Sequence, residues 1–250
     1  MVLGHPSCSQ PDFTTSPSND VLLVMPRHAV QEQWNEDAIC KHCKEKGCRL
    51  LICKASNTIQ NKPLTMVERY ALAICLGKQK SHKKMLDQLE LAIRAKVLVT
   101  KNIKTDLDIT NGARREIVDI VLDPHEPKHN DDRPVTHLKY LPLYILVKMK
   151  RTRAQKLAGL DKNVIPIEPT SQKIYLKIQR GKKIVSRTLI RKQFSMTSAY
   201  AFTDYRSQGQ TILYVLIDIG KPPTGKLNLF NLYVALSPYG YCKTSSQKRC

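Results

Sequence analysis

The chain has 250 residues, with 41 Lys and Arg against 21 Asp and Glu, a formal net charge of +20, and 42% hydrophobic but only 6% aromatic residues. That length can bury a real core, the apolar content excludes a wholly disordered chain, and the longest apolar runs, 141–147 and 212–217, are too short for a membrane-spanning helix. So large a positive surplus points to an anionic partner, nucleic acid first, because each neutralised phosphate releases condensed counterions.

Residues 1–20 are polar, rich in Ser and Pro, and carry no Lys or Arg. They read as a disordered segment and not as a secretory leader, so a soluble intracellular protein is expected. Val21 to Met25 is a short apolar run followed by Pro26 and Arg27. From Ala29 to Lys46 the pattern is helical, with Val30, Trp34 and Ala38 on one face and Gly47 where a C-terminal cap belongs. Arg49 to Cys53 is a second apolar run. Strand, helix and strand in this order predict a right-handed βαβ unit and a parallel sheet. A second helix is predicted from Met66 to Leu76, capped by Thr65 with Glu68 three residues on, and stopped by Gly77.

From about Leu89 the texture changes to short β-rich segments, among them Ala95 to Thr100 and Ile117 to Leu122, with an Asn111-Gly112 turn between them. Many short strands with turns predict a small barrel. Positive charge concentrates here: 148–192 holds fourteen Lys and Arg against Asp161 and Glu168, which is twelve of the twenty surplus charges. Strand-like runs (173–178, 184–185 and 188–190) interleave with them, which predicts a folded basic surface. Lys78, Lys80, Lys83 and Lys84 form a smaller cluster. From Thr197 the α/β texture returns, with strands at Ser198 to Phe202 and Ile212 to Ile219 and a helix at Leu227 to Leu236.

Eight cysteines include Cys40, Cys43, Cys48 and Cys53, with His42 among them. One C-x2-C on a helix is a poor zinc knuckle, so free thiols in a reducing compartment are the expectation and no metal site is assigned. His125 and His129, beside Asp131 and Asp132, read as a solvated loop. Gly220 to Leu227 imitates a phosphate loop but fails it. Leu227 has no hydroxyl for Mg²⁺, and Pro222 and Pro223 remove two of the N–H donors such a loop supplies.

The most informative stretch is Ala199 to Thr211, a strand, a polar loop and a strand, in which Ser207, Gln208 and Gly209 offer hydroxyl, amide and backbone N–H groups suited to phosphates. On residues alone it is also a common polar turn. Together with Leu232 to Ser237, it resembles the fifth and sixth motifs of superfamily-one DNA helicases, in the branch of RecD and the petite-integration-frequency helicases. Asn111-Gly112-Ala113-Arg114 is similar to the turn of that family's inserted barrel, and Met25-Pro26-Arg27 with the Trp34-Asn35 helix to its fourth motif. The wording is closest to helicase-like proteins of fungal Helitron-type transposons.

The resemblance implies a RecA-like parallel-sheet domain, the second of two motor domains, interrupted by a small Src-homology-3-like β-barrel. It implies 21–88 and 193–237 as the two parts of the RecA-like domain, 89–192 as the basic barrel, and 238–250 as a divergent tail. It assigns single-stranded DNA to Thr203, Arg206, Ser207, Gln208, Gly209 and Arg114, and nucleotide to Arg27 and Gly209. Arg206 stands where the family usually has Lys, Tyr205 replaces a His, and Arg115 a Gly. Pro238 occupies the arginine finger's place, so no catalytic residue is assigned. ATP and Mg²⁺ are expected only if a first RecA-like domain is supplied, and the location expected with DNA is nuclear. Three readings stay open: a DNA-binding half-motor inactive alone, a helicase completed by a first motor domain, and a transposon relic or zinc-containing interaction protein.

Overall fold

The computed structural model describes residues 22–25, 28–78, 85–101, 114–128, 133–149, 159–180, 183–203 and 215–217. In chain order these form β1 (Leu22–Met25), α1 (His28–Lys46), β2 (Leu50–Lys54), β3 (Ser56–Ile59), β4 (Lys62–Pro63) and α2 (Met66–Lys78). Then follow β5 (Gln88–Leu91), β6 (Lys96–Val99), β7 (Arg114–Val121), β8 (Val135–Leu138), β9 (Tyr144–Lys148) and β10 (Val164–Ile167). The last five are β11 (Thr170–Arg180), β12 (Lys183–Gln193), β13 (Met196–Ser198), β14 (Ala201–Thr203) and β15 (Val215–Ile217). Among the described residues no helix is long and apolar enough to cross a membrane. The chain divides into two compact units, one of residues 1–38 and 199–250 and one of 39–198.

In the first unit β1 lies between β14 and β15, parallel to both. This corrects the βαβ expectation. β2 is not a neighbour of β1; it pairs antiparallel with β5 and parallel with β8. The segment order that suggested the motif is real, but each strand found its partners far along the chain. The run 198–202, expected as one strand, is two: β13 pairs antiparallel with β6, whereas β14 joins β1. The strand expected at Ile212 to Ile219 is described only as β15, and Leu227 to Leu236 lies outside the described residues.

α1 ends as its sequence predicts. Gly47 takes φ +60°, and the N–H of Cys48 donates to the carbonyl of Cys43 at 3.1 Å, the six-to-one bond of a glycine-terminated helix. Its buried face is not the row of Val30, Trp34 and Ala38 whose spacing marked the helix. Val30 and Trp34 are 37% and 48% exposed, and the covered stripe is Gln31, Asn35, Ile39 and Cys43, one residue further along. At α2 the Glu68 carboxylate accepts from both the N–H and the hydroxyl of Thr65, each at 2.9 Å, the reciprocal arm of a capping box. Gly77 does not stop this helix, which runs on to Lys78.

Two sheets of the second unit, ordered β10-β9-β7-β6-β13 and β5-β2-β8, share one apolar core. Leu91, Val97, Ile117, Ile145 and Val147 are fully covered in it, with Phe194 and Ile167 beside them. A third sheet, β11-β12-β3-β4, lays Ile174, Leu176, Ile178 and Leu189 against Leu72 of α2. β12, an inner strand of this sheet, brings a correction to the basic surface: Arg191 is 0% exposed. Its Nε donates to Asn57 Oδ1 at 2.8 Å, Nη1 to the Met85 carbonyl at 3.1 Å and Nη2 to Asp87 Oδ1 at 2.9 Å. Burial alone would disfavour that charge, and Asp87 opposes the effect.

Burial pushes the thiols of Cys43 and Cys53 up to about 12, with Cys48 adding to the effect at Cys43. Unfolding returns them to an ordinary value near 9, so the unfolded chain loses these protons first as pH rises. Stability is therefore full below pH 9 and falls progressively toward 12. Urea melts at pH 8, 9.5 and 10.5 are expected to show this decline, and Cys53→Ala should decline less steeply. Equal slopes for the two proteins would refute the assignment.

Candidate nucleic-acid interface

β14, which precedes the predicted loop in sequence, ends at the carboxyl edge of the parallel sheet. Register pairs Leu23 with Ala201, Val24 with Phe202 and Met25 with Thr203, so β1 and β14 end side by side. Ligands of open α/β sheets gather outside that edge. Thr203 is the last residue of β14. Arg206, Ser207, Gln208, Gly209 and Arg27 lie outside the described residues, as do the Gly220 to Leu227 stretch and Pro238. Arg114 opens β7, opposite Leu98 of β6, and is half-buried.

The stem of that loop is held by two side-chain amides. Asn35 Oδ1 accepts from the N–H of Tyr200 at 3.0 Å and of Ala201 at 2.8 Å, while its Nδ2 donates to the Ala201 carbonyl at 3.1 Å. Gln31 Nε2 donates to the same carbonyl at 3.2 Å. On the other side Leu23 N–H donates to the Tyr200 carbonyl at 3.2 Å. Residues 200 and 201 are therefore fixed from both the helix and the sheet, three to four residues before Asp204. This explains why amides occupy the buried stripe of α1. Among the described residues the backbone they satisfy has no strand partner on that side, and an unsatisfied buried amide is expensive. Gln31 carried no sequence signal beyond its helical spacing from Asn35.

The basic stretch is partly folded as predicted. Lys173, Lys177, Lys183 and Lys192 are exposed on the long β11–β12 hairpin, and Lys148 and Lys162 are exposed elsewhere in the same unit. Lys150, Arg151, Arg153, Lys156 and Lys182 lie outside the described residues. Arg191 drops out of the surface because it is an internal tie.

Among the described residues no group of three or more His, Cys, Asp or Glu is disposed to hold a metal ion. His42 Nε2 hydrogen-bonds the Ile93 carbonyl at 3.0 Å. His125 is spent on Asp123, through its N–H at 2.8 Å and its ring at 2.9 Å.

No protein-family model matches the sequence, and no curated protein matches it. The fold does match solved structures of Pif1 helicases. The enzyme from Candida albicans aligns at a TM-score of 0.54 and 18% identity, over 90% of this chain and 44% of that one. Bacteroides Pif1 bound to single-stranded DNA aligns at 0.51 and 19% identity, over 90% and 39%. The Bacteroides enzyme with ADP-AlF3 and single-stranded DNA aligns at 0.52 and 18% identity, over 92% and 40%. The chain spans about two-fifths of the length of these proteins, and the likeness is one of fold: mixed α/β, with parallel and antiparallel sheets arranged as in part of a Pif1 helicase.

Proposed function

We propose that the chain is the second motor half of an ATP-dependent DNA helicase-like protein, which grips single-stranded DNA and does not hydrolyse ATP by itself. The observation that carries this reading is the carboxyl edge where β1 and β14 end side by side, with residues 200 and 201 held by Asn35, in a fold similar to part of Pif1 helicases. Thr203, Arg206, Ser207, Gln208 and Gly209 take the sugar–phosphate backbone. Arg114 and the basic insertion, folded as the family's small barrel, also take single-stranded DNA. Arg27 follows the end of β1 by two residues and Arg206 follows that of β14 by three, so both cations issue from adjacent strands; Arg27 and Gly209 face the nucleotide. ATP and Mg²⁺ enter only with a first RecA-like domain, supplied by a longer protein or another chain. The chain belongs to a reducing, nuclear compartment.

Pro238 in place of an arginine finger supports the absence of turnover and favours one second reading, a transposon-derived relic. Binding separates the two. Labelled oligo-dT is expected to bind the chain at low salt, with log affinity falling linearly as log salt rises, by about 0.7 for each phosphate neutralised. Arg206→Gln should weaken binding several-fold at 50 mM salt and reduce the slope. No binding at low salt, or an affinity indifferent to salt, would sink the proposal.

A further inference from the structure

The β11–β12 hairpin has two unlike faces. Residues directly opposite share a face, and the register sets Tyr175 opposite Thr188, Lys177 opposite Ser186, Lys173 opposite Ile190 and Ser171 opposite Lys192. Lys192 is in turn opposite Ser56 of β3. Of the intervening residues, Ile174, Leu176, Ile178 and Leu189 form the apolar face against α2. What remains outside is a strip with Tyr175, 67% exposed, midway between Lys173 and Lys177 and about 7 Å from each along the strand. Lys173, Lys177 and Lys192 form no ion pair among the described residues.

At the foot of this strip, where Ser56 and Lys192 meet the neighbouring sheet, lies an open cleft of about 380 Å³ lined also by Tyr140, Tyr144, Glu168 and Asp123. Its aromatic wall is held in place. The Glu126 carboxylate accepts from the N–H groups of Lys139 and Tyr140 at 2.8 to 3.1 Å. Lys139 Nζ stands 5.4 Å over the Tyr140 ring, and the His125 ring meets it edge-on at 6.4 Å. Asp123 is engaged by His125, whose backbone N–H and ring hold its carboxyl below the ordinary range, whereas Glu168 has no hydrogen-bond partner among the described residues.

We propose that this strip and cleft are a single-strand nucleic-acid site of their own. Phosphates run over Lys173, Lys177 and Lys192, and a base stacks on Tyr175. One unstacked base enters the cleft, where Glu168 accepts from an exocyclic amino group. Stacking on aromatic side chains with cations along the backbone is how single strands are held, and a carboxylate selects amino-bearing bases. A duplex would use the lysines but neither the ring nor the cleft. The inference rests on the reading that the chain binds single-stranded DNA, but it adds a second site and a base preference.

The test is fluorescence anisotropy of the full chain with labelled dC20, dT20 and a blunt hairpin duplex. Tyr175→Ser is expected to weaken both single strands roughly five- to tenfold, with Tyr175→Phe restoring them. Lys173→Gln with Lys177→Gln should weaken them further. Glu168→Ala should lower the dC20 to dT20 affinity ratio about threefold, because it removes an acceptor and a repulsive charge together. Unchanged melting curves would show that these exposed substitutions leave the fold intact. If the wild type binds and Arg206→Gln weakens it, but none of these variants matters, the second site is refuted and the helicase-like reading stands. Equal losses on the duplex would also refute it, since the surface would then read only phosphates. If the wild type binds no nucleic acid, both fail.

Discussion

Arg191→Ala is expected to lower the unfolding free energy of the chain by about 3 kcal/mol, among the largest effects of any single substitution in it. The side chain is fully covered and spends three nitrogens on three partners: the Asn57 amide oxygen, the Met85 carbonyl and the Asp87 carboxylate. Through them it ties β12 to β3 and to the segment that leads into β5. Truncation leaves a cavity and strips donors from Asn57 and Met85. Asp87, whose side chain is 67% exposed, can rehydrate. The charge partner therefore matters less than the buried acceptors, and two further variants separate the contributions. Arg191→Met refills most of the volume and should cost about half as much. Asp87→Ala leaves the guanidinium two neutral acceptors and should cost about 1 to 2 kcal/mol. Urea unfolding of the three proteins is the measurement. A loss under 1 kcal/mol for Arg191→Ala would show that the tie is dispensable.

Asn35→Leu is expected to cost about 2 to 4 kcal/mol and to weaken binding of single-stranded DNA by an order of magnitude. Leucine keeps the bulk but removes an acceptor serving two N–H groups and a donor serving one carbonyl. Gln31→Leu removes only one of the two side-chain donors to the Ala201 carbonyl, so about 1 kcal/mol is expected there. Asn35→Asp keeps the acceptor but turns an oxygen toward the Ala201 carbonyl, and should fall between them. Thermal melts give the stability order, and anisotropy gives the binding. If Asn35→Leu destabilises the chain but binds DNA as tightly as the wild type, the stem does not position the loop.

The features legible in the sequence are those decided by near neighbours. Gly47 as a helix terminator, the Thr65–Glu68 cap and strands β6, β7 and β11–β12 rest on residues a few positions apart. The failures are non-local. β1 and β2 each read as strands, yet nothing within Val21 to Cys53 reveals that β1 pairs with residues 201–203 and 215–217 instead. The spacing of Val30, Trp34 and Ala38 marked α1 as a helix, but the buried stripe lies one residue further along, where Gln31 and Asn35 find backbone partners that cover their polarity. Arg191 counted as one more surface cation for the same reason: its partners at 57, 85 and 87 are more than a hundred residues away. At the candidate interface the motif pointed to residues 203–209. The amides that hold their stem became visible only in three dimensions, although Asn35 already stood within the resembling helix.

The hairpin of β11 and β12 pairs eleven residues with eleven, from Thr170–Gln193 to Arg180–Lys183. Alternation makes its length a matter of parity. Adding or deleting two residues in each strand would lengthen or shorten it while Ile174, Leu176 and Leu189 stayed inside. A single-residue change in either strand would turn every side chain beyond it over, sending lysines toward α2 and isoleucines into water. Any engineered or naturally varied form of this protein should therefore alter the hairpin only in even steps.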